Sequence, residues 1–293
     1  MKKSPRLLKQ FSIVEVFVLV LLLFFLSVRV IFLTPVFSDE TIYINMAKAV
    51  SNGLMPYKDF FFAHPPVQLF LLAPIAHFGN FFLVKLFISI IGISCIFLTY
   101  LIGKSLFDGK TAFVSFFAFI LFPGFLIFGN LAMGTFESLL FFLFSFYLLI
   151  KDKINVSTIF FVLAVLTRYL SVFLFPFLII YLHQYKRKNL LPISIFTLVL
   201  LLSFFLLFSI IFGEIFWIDT IIYHFFSNIN VSKTSFAQMS EQYFALGFFT
   251  MFILFISSFY SYFRKNFLVF YFSIYSIFYD LFLLLIFKQV IYH

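Results

Sequence analysis

Charged side chains are scarce in this sequence, at 11% of 293 residues, and there is only one cysteine. Soluble domains carry roughly 25% charged residues, so the shortage argues against a soluble globular protein. The single Cys95 lies in an apolar run, which excludes an intrachain disulfide and a cysteine-based metal cluster. The HExxH, GxSxG, Walker and GxGxxG patterns are also missing. Protease, hydrolase and nucleotide-binding functions therefore have no motif to support them.

Hydrophobic residues make up 64% of the chain and fall in long continuous runs. Runs of about 18 or more residues can cross a hydrocarbon core of about 30 Å. Continuous rather than alternating runs favour helices over barrel strands in lipid. The sequence therefore predicts an all-α polytopic integral membrane protein, with about nine transmembrane helices in one transmembrane domain over residues 1–293. The spans are predicted near 11–33, 81–103, 112–129, 134–150, 156–167, 169–184, 190–212, 243–262 and 266–287.

The distribution of basic residues predicts an orientation. The N-terminal MKKSPRLLKQ precedes an apolar stretch without a small-residue cleavage site, which predicts a retained signal anchor. With the N-terminus in the cytoplasm, 13 of the 20 Lys and Arg residues fall on the inner side, as the positive-inside rule expects. We interpret the net charge of +9 as a topology signal, and we expect no nucleic-acid partner. Residues 34–80 and 213–242 are then extracytoplasmic loops of a multi-pass protein in the cell membrane.

Residues 38–79 are the one long stretch between hydrophobic segments that is dense in acids, bases, Pro, Gly and His. Ser38 before Asp39 and Glu40 predicts a helix start, and Asn52-Gly53 predicts its end. The helix is amphipathic and is expected to lie along the membrane surface. Its apolar face is predicted at Ile42, Met46 and Val50, with Tyr43 and Ala47 beside them.

A second unit, MPYKDFFFAHPPVQLF, follows in the same loop. Pro65-Pro66 predicts an extended entry into a further short helix that begins at VQLF. Each feature taken alone also has a plain structural interpretation. Acids at a helix start can serve only as caps, His-Pro-Pro can be only a turn, and a basic side chain at a span end can simply reach for the interface.

The pattern as a whole resembles the first outer loop of the GT-C superfamily of membrane glycosyltransferases. The likeness is closest to the polyprenyl-phosphate-sugar-dependent enzymes of glycosyltransferase family 39, which include the protein O-mannosyltransferases and the lipid A aminoarabinose transferases. It covers about residues 10–185, and relatives run on through further spans. The matching residues are Asp39-Glu40, Gly53, Pro56-Tyr57-Lys58-Asp59-Phe60 and His64-Pro65-Pro66, followed by Lys85, Glu137 and Leu166-Thr167-Arg168.

The resemblance implies transfer of a hexose or pentose, with mannose among the candidates, from a polyprenyl-phosphate donor to an acceptor hydroxyl on the outer membrane face. A carboxylate must take the acceptor's proton, and cations must hold the phosphate. We expect Asp39 to be this base in an inverting reaction, with Glu40 orienting it or binding the acceptor. The phosphate-binding candidates are Arg168 and Lys85, then Lys58 and His64, and the supporting residues are Tyr57, Asp59 and Glu137.

No cofactor is indicated beyond the lipid-linked donor, and no acidic set in the sequence has a recognisable metal-ligand spacing. The sequence leaves open whether a divalent ion bridges an acid and the lipid phosphate. The acceptor can be a protein, a glycan or a lipid. A transporter or flippase for a lipid-linked sugar is the alternative, although it would predict internal repeats and Gly/Pro-broken helices in both halves, and the 38–80 unit is not repeated in the sequence. A structural scaffold would leave the outer acids without a role, and Asp280 in the last span has no assigned role.

Overall fold

Helix is the structure that long apolar runs favour, because it satisfies every backbone polar group within the segment. The computed structural model describes residues 17–18, 20–25, 38–122, 125–126, 129–223, 255–263 and 265–278. Within those residues the chain is all-helical, and the only β-type pairing is one isolated bridge between Pro56 and Phe60. The predicted all-α fold class is therefore confirmed.

The chain divides into two compact units, the first of which ends at Arg168. Within the first unit, α3 packs against α4 and α5, α5 packs against α6, and α1 packs against α2. Residues 17–18 and 20–25 are also helical. The six longer helices are α1 (Ser38–Ser51), α2 (Val67–Ala76), α3 (Phe81–Leu106), α4 (Gly109–Ile120), α5 (Thr135–Ile150) and α6 (Ile154–Thr167).

Helix α1 begins and ends where the sequence predicts. Its C-terminal end is a Schellman motif, in which Gly53 N–H donates to Val50 O at 3.0 Å and Leu54 N–H donates to Ala49 O at 3.1 Å. Gly53 has a φ of +91°, a conformation that glycine adopts without a Cβ penalty. The chain can therefore reverse directly after the helix and enter the turn that precedes α2.

The protein-facing side of α1 is not the predicted apolar stripe. Glu40, Ile44 and Ala47 are buried, whereas Ile42 is 48% exposed and Met46 is half-buried. An acidic residue thus occupies the most buried position of the first turn. A sequence pattern of apolar residues cannot reveal this, because the burial of Glu40 depends on a partner 45 residues away.

Among the residues that the structure describes, two helices are long and apolar enough to cross a membrane, judged by length and composition. They are the 26-residue segments Phe81–Leu106 and Arg187–Phe212. This finding indicates membrane association, while the count of nine spans stays a prediction. Shorter apolar helices occupy Val67–Ala76, Gly109–Ile120, Thr135–Ile150, Ile154–Thr167, Tyr169–Tyr185 and Phe267–Phe278.

The second unit begins at Tyr169. Its described elements are a 3₁₀ helix at Tyr169–Leu174, α7 (Phe175–Tyr185), a 3₁₀ turn at Arg187–Asn189, α8 (Leu190–Phe212), α9 (Glu214–Trp217), a π turn at Ile218–Ile222, and helical residues 255–263 and 267–278. Only residues 213–223 of the predicted second outer loop are among these. The predictions for 11–16, 26–37, 224–254 and 279–293, including Asp280, lie outside the described residues.

Candidate functional site

A buried ion pair joins α1 to α3. Lys85 Nζ lies 2.6 Å from Glu40 Oε2, and the two side chains are 1% and 0% exposed. Lys85 comes early in α3, which begins after Asn80, whose side chain accepts a hydrogen bond from Phe82 N–H at 2.9 Å. A buried charge is tolerated only when it is paired and hydrogen-bonded, so each partner accounts for the burial of the other.

The ion pair also holds the backbone of the 129–134 loop, which leads into α5. Lys85 Nζ donates to Asn130 O at 3.2 Å, and Ala132 N–H donates to Glu40 Oε1 at 2.9 Å. A third side chain, Gln68 from α2, donates through Nε2 to Ala132 O at 3.1 Å. Because the loop has little secondary structure of its own, side chains from three helices satisfy its buried backbone groups.

Arg168 approaches the same loop from the end of α6. Its Nη1 donates to Met133 O and, at 2.8 Å, to Thr135 Oγ1. The side chain is half-buried, and within the described residues it forms no ion pair closer than 4 Å. Two hydrogen bonds therefore fix the position of the guanidinium at the loop.

Glu137 lies in the first turn of α5 and is fully buried. No side chain in the described part of the chain donates to its carboxylate, which lies beside the backbone N–H groups of Gly134 and Glu137, and its charged neighbours are Arg168 and Glu40. Gln68 Oε1 and Asn130 Oδ1 are likewise buried without a partner among those residues. Buried acceptors normally receive hydrogen bonds, so these oxygens make the surroundings of the 129–134 loop unusually polar for a protein interior.

Asp39 is exposed in the first turn of α1, directly beside buried Glu40. A helix N-terminus favours a carboxylate, because its unpaired N–H groups carry partial positive charge. The two adjacent acids therefore have different surroundings. Glu40 is fixed inside the unit by Lys85 and the loop, while Asp39 is accessible to molecules outside it.

A second cluster lies in the turn between α1 and α2. Tyr43 OH and His64 Nε2 are 3.0 Å apart, and Tyr57 OH donates to His64 O at 2.6 Å. Asp59 Oδ2 accepts from Met55 N–H at 2.7 Å and thereby closes the exposed turn that carries Lys58. Tyr57 has a φ of +67°, an uncommon conformation for a residue with a side chain.

The structure thus sorts the predicted site residues into four places. Glu40, Lys85, Glu137 and Arg168 gather around the 129–134 loop, while Tyr57 and His64 join the second cluster. Asp39 is exposed beside Glu40, and Lys58 and Asp59 lie in the exposed turn. Among the described residues, no three His, Cys, Asp or Glu side chains come together as a metal site.

Sequence reasoning missed the loop itself, together with Gln68 and Thr135. These residues act through backbone carbonyls, an amide and a hydroxyl, and none of them carries charge. A weak signal was present in the glycines that begin and end the GNLAMG segment. Gly134 has a φ of +78°, which the chain requires as it turns into α5.

Comparisons with protein-family models, curated proteins and solved structures find no match to this chain.

Proposed function

We propose that this protein is a multi-pass membrane glycosyltransferase, which moves a hexose or pentose from a polyprenyl-phosphate donor to an acceptor hydroxyl. One observation carries the proposal. Glu40, Lys85, Glu137 and Arg168 come from separate parts of the sequence and gather around one six-residue loop. The family resemblance names these four positions from the sequence. A site made of them requires that they lie close together in the fold, as they do.

The proposed architecture is the nine-span arrangement with a cytoplasmic N-terminus. In it, α1, the start of α3, the 129–134 loop and Arg168 all lie at the extracytoplasmic face. Ionisable residues at membrane depth are costly and usually serve a function. The apolar composition and the two 26-residue helices support a membrane setting for this charged cluster.

Asp39 is the proposed general base. Its carboxylate takes the proton of the acceptor hydroxyl while the acceptor oxygen forms a bond to the anomeric carbon. The bond between that carbon and the phosphate oxygen breaks, and the polyprenyl phosphate leaves with the electron pair. Attack opposite the leaving group inverts the anomeric centre. Exposure of Asp39 beside a rigidly held Glu40 supports this division of roles.

Arg168 is the proposed contact for the donor phosphate. Its planar guanidinium presents several donors, and within the described residues Met133 and Thr135 engage Nη1. Guanidinium groups suit phosphate because they can form paired, charge-assisted hydrogen bonds. Lys85, the other candidate, already places its charge against Glu40. Lys58 and His64, the remaining phosphate-binding candidates, lie in the turn between α1 and α2. Substituting each of them would test whether it contacts the donor or the acceptor.

Glu137, Gln68 and Asn130 are assigned no direct contact with the sugar, because their side chains are buried like those of Glu40 and Lys85. Their place beside the 129–134 loop supports a role in holding the site together. The acceptor of the transferred sugar can be a protein, a glycan or a lipid.

The test is sugar transfer by the purified protein in liposomes, supplied with radiolabelled polyprenyl-phosphate sugars and with peptide, glycan and lipid acceptors. Label that appears in an acceptor supports the proposal. Label that crosses the bilayer while still attached to its lipid, without transfer, would instead identify a transporter. The second result would overturn the enzymatic assignment.

A further inference from the structure

We infer that Glu40 and Lys85 are positioning residues: their ion pair holds the 129–134 loop, and the loop in turn holds the Arg168 guanidinium. The consequence for donor binding rests on the proposed function. The structural claim, that the ion pair fixes the loop, does not depend on the proposed function. The inference assigns Glu40 and Lys85 a role different from direct contact with the acceptor or the phosphate.

The first step is the burial of the pair. Lys85 is 1% exposed and Glu40 is 0% exposed, so neither presents surface to a ligand. Two of the three hydrogens on Lys85 Nζ are used by Glu40 Oε2 and Asn130 O. A phosphate that reached Lys85 would have to separate a buried ion pair and leave Glu40 without its partner, which is unfavourable.

The second step is the way the pair contacts the loop. Lys85 binds the carbonyl of Asn130, and Glu40 binds the amide of Ala132. These two backbone groups are only two residues apart, so the pair fixes the local path of the chain. Loss of the lysine charge would leave Glu40 buried and uncompensated, and the carboxylate would then move toward solvent. The amide of Ala132 would lose its acceptor.

The third step is the link from the loop to Arg168. Met133 follows Ala132 directly, and its carbonyl accepts from Arg168 Nη1. Thr135, the first residue of α5, provides the second contact of the same nitrogen. A displacement at Ala132 therefore shifts at least one of the two groups that orient the guanidinium. Through this sequence of contacts, the pair acts on a group that it does not touch.

The experiment compares Lys85→Met with the double variant Glu40→Gln/Lys85→Met. The single change leaves a lone buried carboxylate. The double change removes both charges and keeps a side-chain oxygen that can accept from Ala132 N–H. Lys48→Met serves as control, since Lys48 is an exposed lysine near the end of α1. Hydrogen–deuterium exchange of residues 129–134 reports on the loop, and the KM and kcat for the donor report on Arg168.

We expect Lys85→Met to raise loop exchange about tenfold or more and to raise the donor KM more than it lowers kcat. The double variant should return loop exchange and donor KM most of the way to their wild-type values. Such non-additive effects are expected of two residues that act as one unit. Lys48→Met should change neither. If Lys85→Met does not fold, the double variant is the test. A loop that stays protected from exchange, together with a donor KM near that of wild type, would support the inference.

Two results would overturn the inference. One is a loop whose exchange is unchanged in Lys85→Met. The other is a double variant with a protected loop but the same loss of donor recognition as the single variant, because Lys85 would then contact the phosphate itself. Absence of transfer in the wild-type protein would refute the proposed function, and loop exchange would still decide whether the pair fixes the loop.

Discussion

Gly134 and Gln68 are in such close contact that a Cβ at residue 134 would lie 2.7 Å from Gln68 Oε1. The same glutamine donates to Ala132 O, so Gln68 contacts the 129–134 loop at two points. Gly134 also has a φ of +78°. Backbone conformation therefore favours a glycine at the point where the loop enters α5, and a Cβ there would displace the Gln68 amide.

We predict that Gly134→Ala destabilises the first unit and impairs transfer. The left-handed conformation costs an L-residue about 1–2 kcal/mol, and the contact with Gln68 adds a steric cost. Gly53→Ala is the matched control, because Gly53 has a φ of +91° and a Cβ there would meet nothing within 4 Å. Thermal unfolding should show a larger loss for Gly134→Ala than for Gly53→Ala. Equal losses would mean that backbone strain alone matters.

Arg168→Gln should raise the donor KM, because the phosphate loses its proposed charge-assisted partner. Hydrogen bonds to charged groups are worth about 1.5–3 kcal/mol, which corresponds to roughly 10- to 150-fold in kcat/KM. Arg168→Lys should recover only part of this, since an ammonium lacks the planar guanidinium geometry. Arg187→Gln, at an exposed arginine of the second unit, is the control. Full activity of Arg168→Gln would remove Arg168 from donor binding.

Thr135→Val should weaken donor binding by about 1 kcal/mol, or roughly fivefold in KM, because Arg168 loses the hydroxyl that orients it. Thr135→Ser keeps that hydroxyl and should stay close to wild type. Both variants are assayed for donor KM and for thermal stability. A loss in Thr135→Ser with none in Thr135→Val would show that the threonine methyl group, rather than its hydroxyl, is important.

The proposed topology predicts opposite labelling of two introduced cysteines. Asn52→Cys, just after α1, should react with a membrane-impermeant maleimide in intact cells. Lys188→Cys, in the exposed turn before α8, should react only after permeabilisation. The native Cys95 is buried and should contribute little background. Labelling of Lys188→Cys in intact cells would contradict the predicted orientation.

The sequence was informative about helices and much less so about contacts. The predicted spans 81–103, 134–150 and 156–167 correspond to α3, α5 and α6 within a few residues, since long apolar runs and flanking polar residues determine helix boundaries. The bounds of α1 agree with those predicted from Ser38 and from Asn52-Gly53.

The partners within the site could not be predicted in this way. Glu40 and Lys85 are 45 residues apart, and the pattern of α1 gave no reason to expect an acid on its buried side. The 129–134 loop acts through backbone groups, which every sequence has. Only the packing of α1, α2, α3 and α6 around it gives those groups a role.

The most direct test of the proposed function is sugar transfer by Asp39→Asn, with Asp152→Asn as control. Asp152 is an exposed aspartate with a φ of +62°, a conformation that asparagine tolerates, so its substitution tests for non-specific effects. Loss of a general base should lower transfer by about 10²- to 10⁴-fold, with donor binding intact and Asp152→Asn unaffected. Undiminished transfer by Asp39→Asn would contradict the proposal that Asp39 is the base.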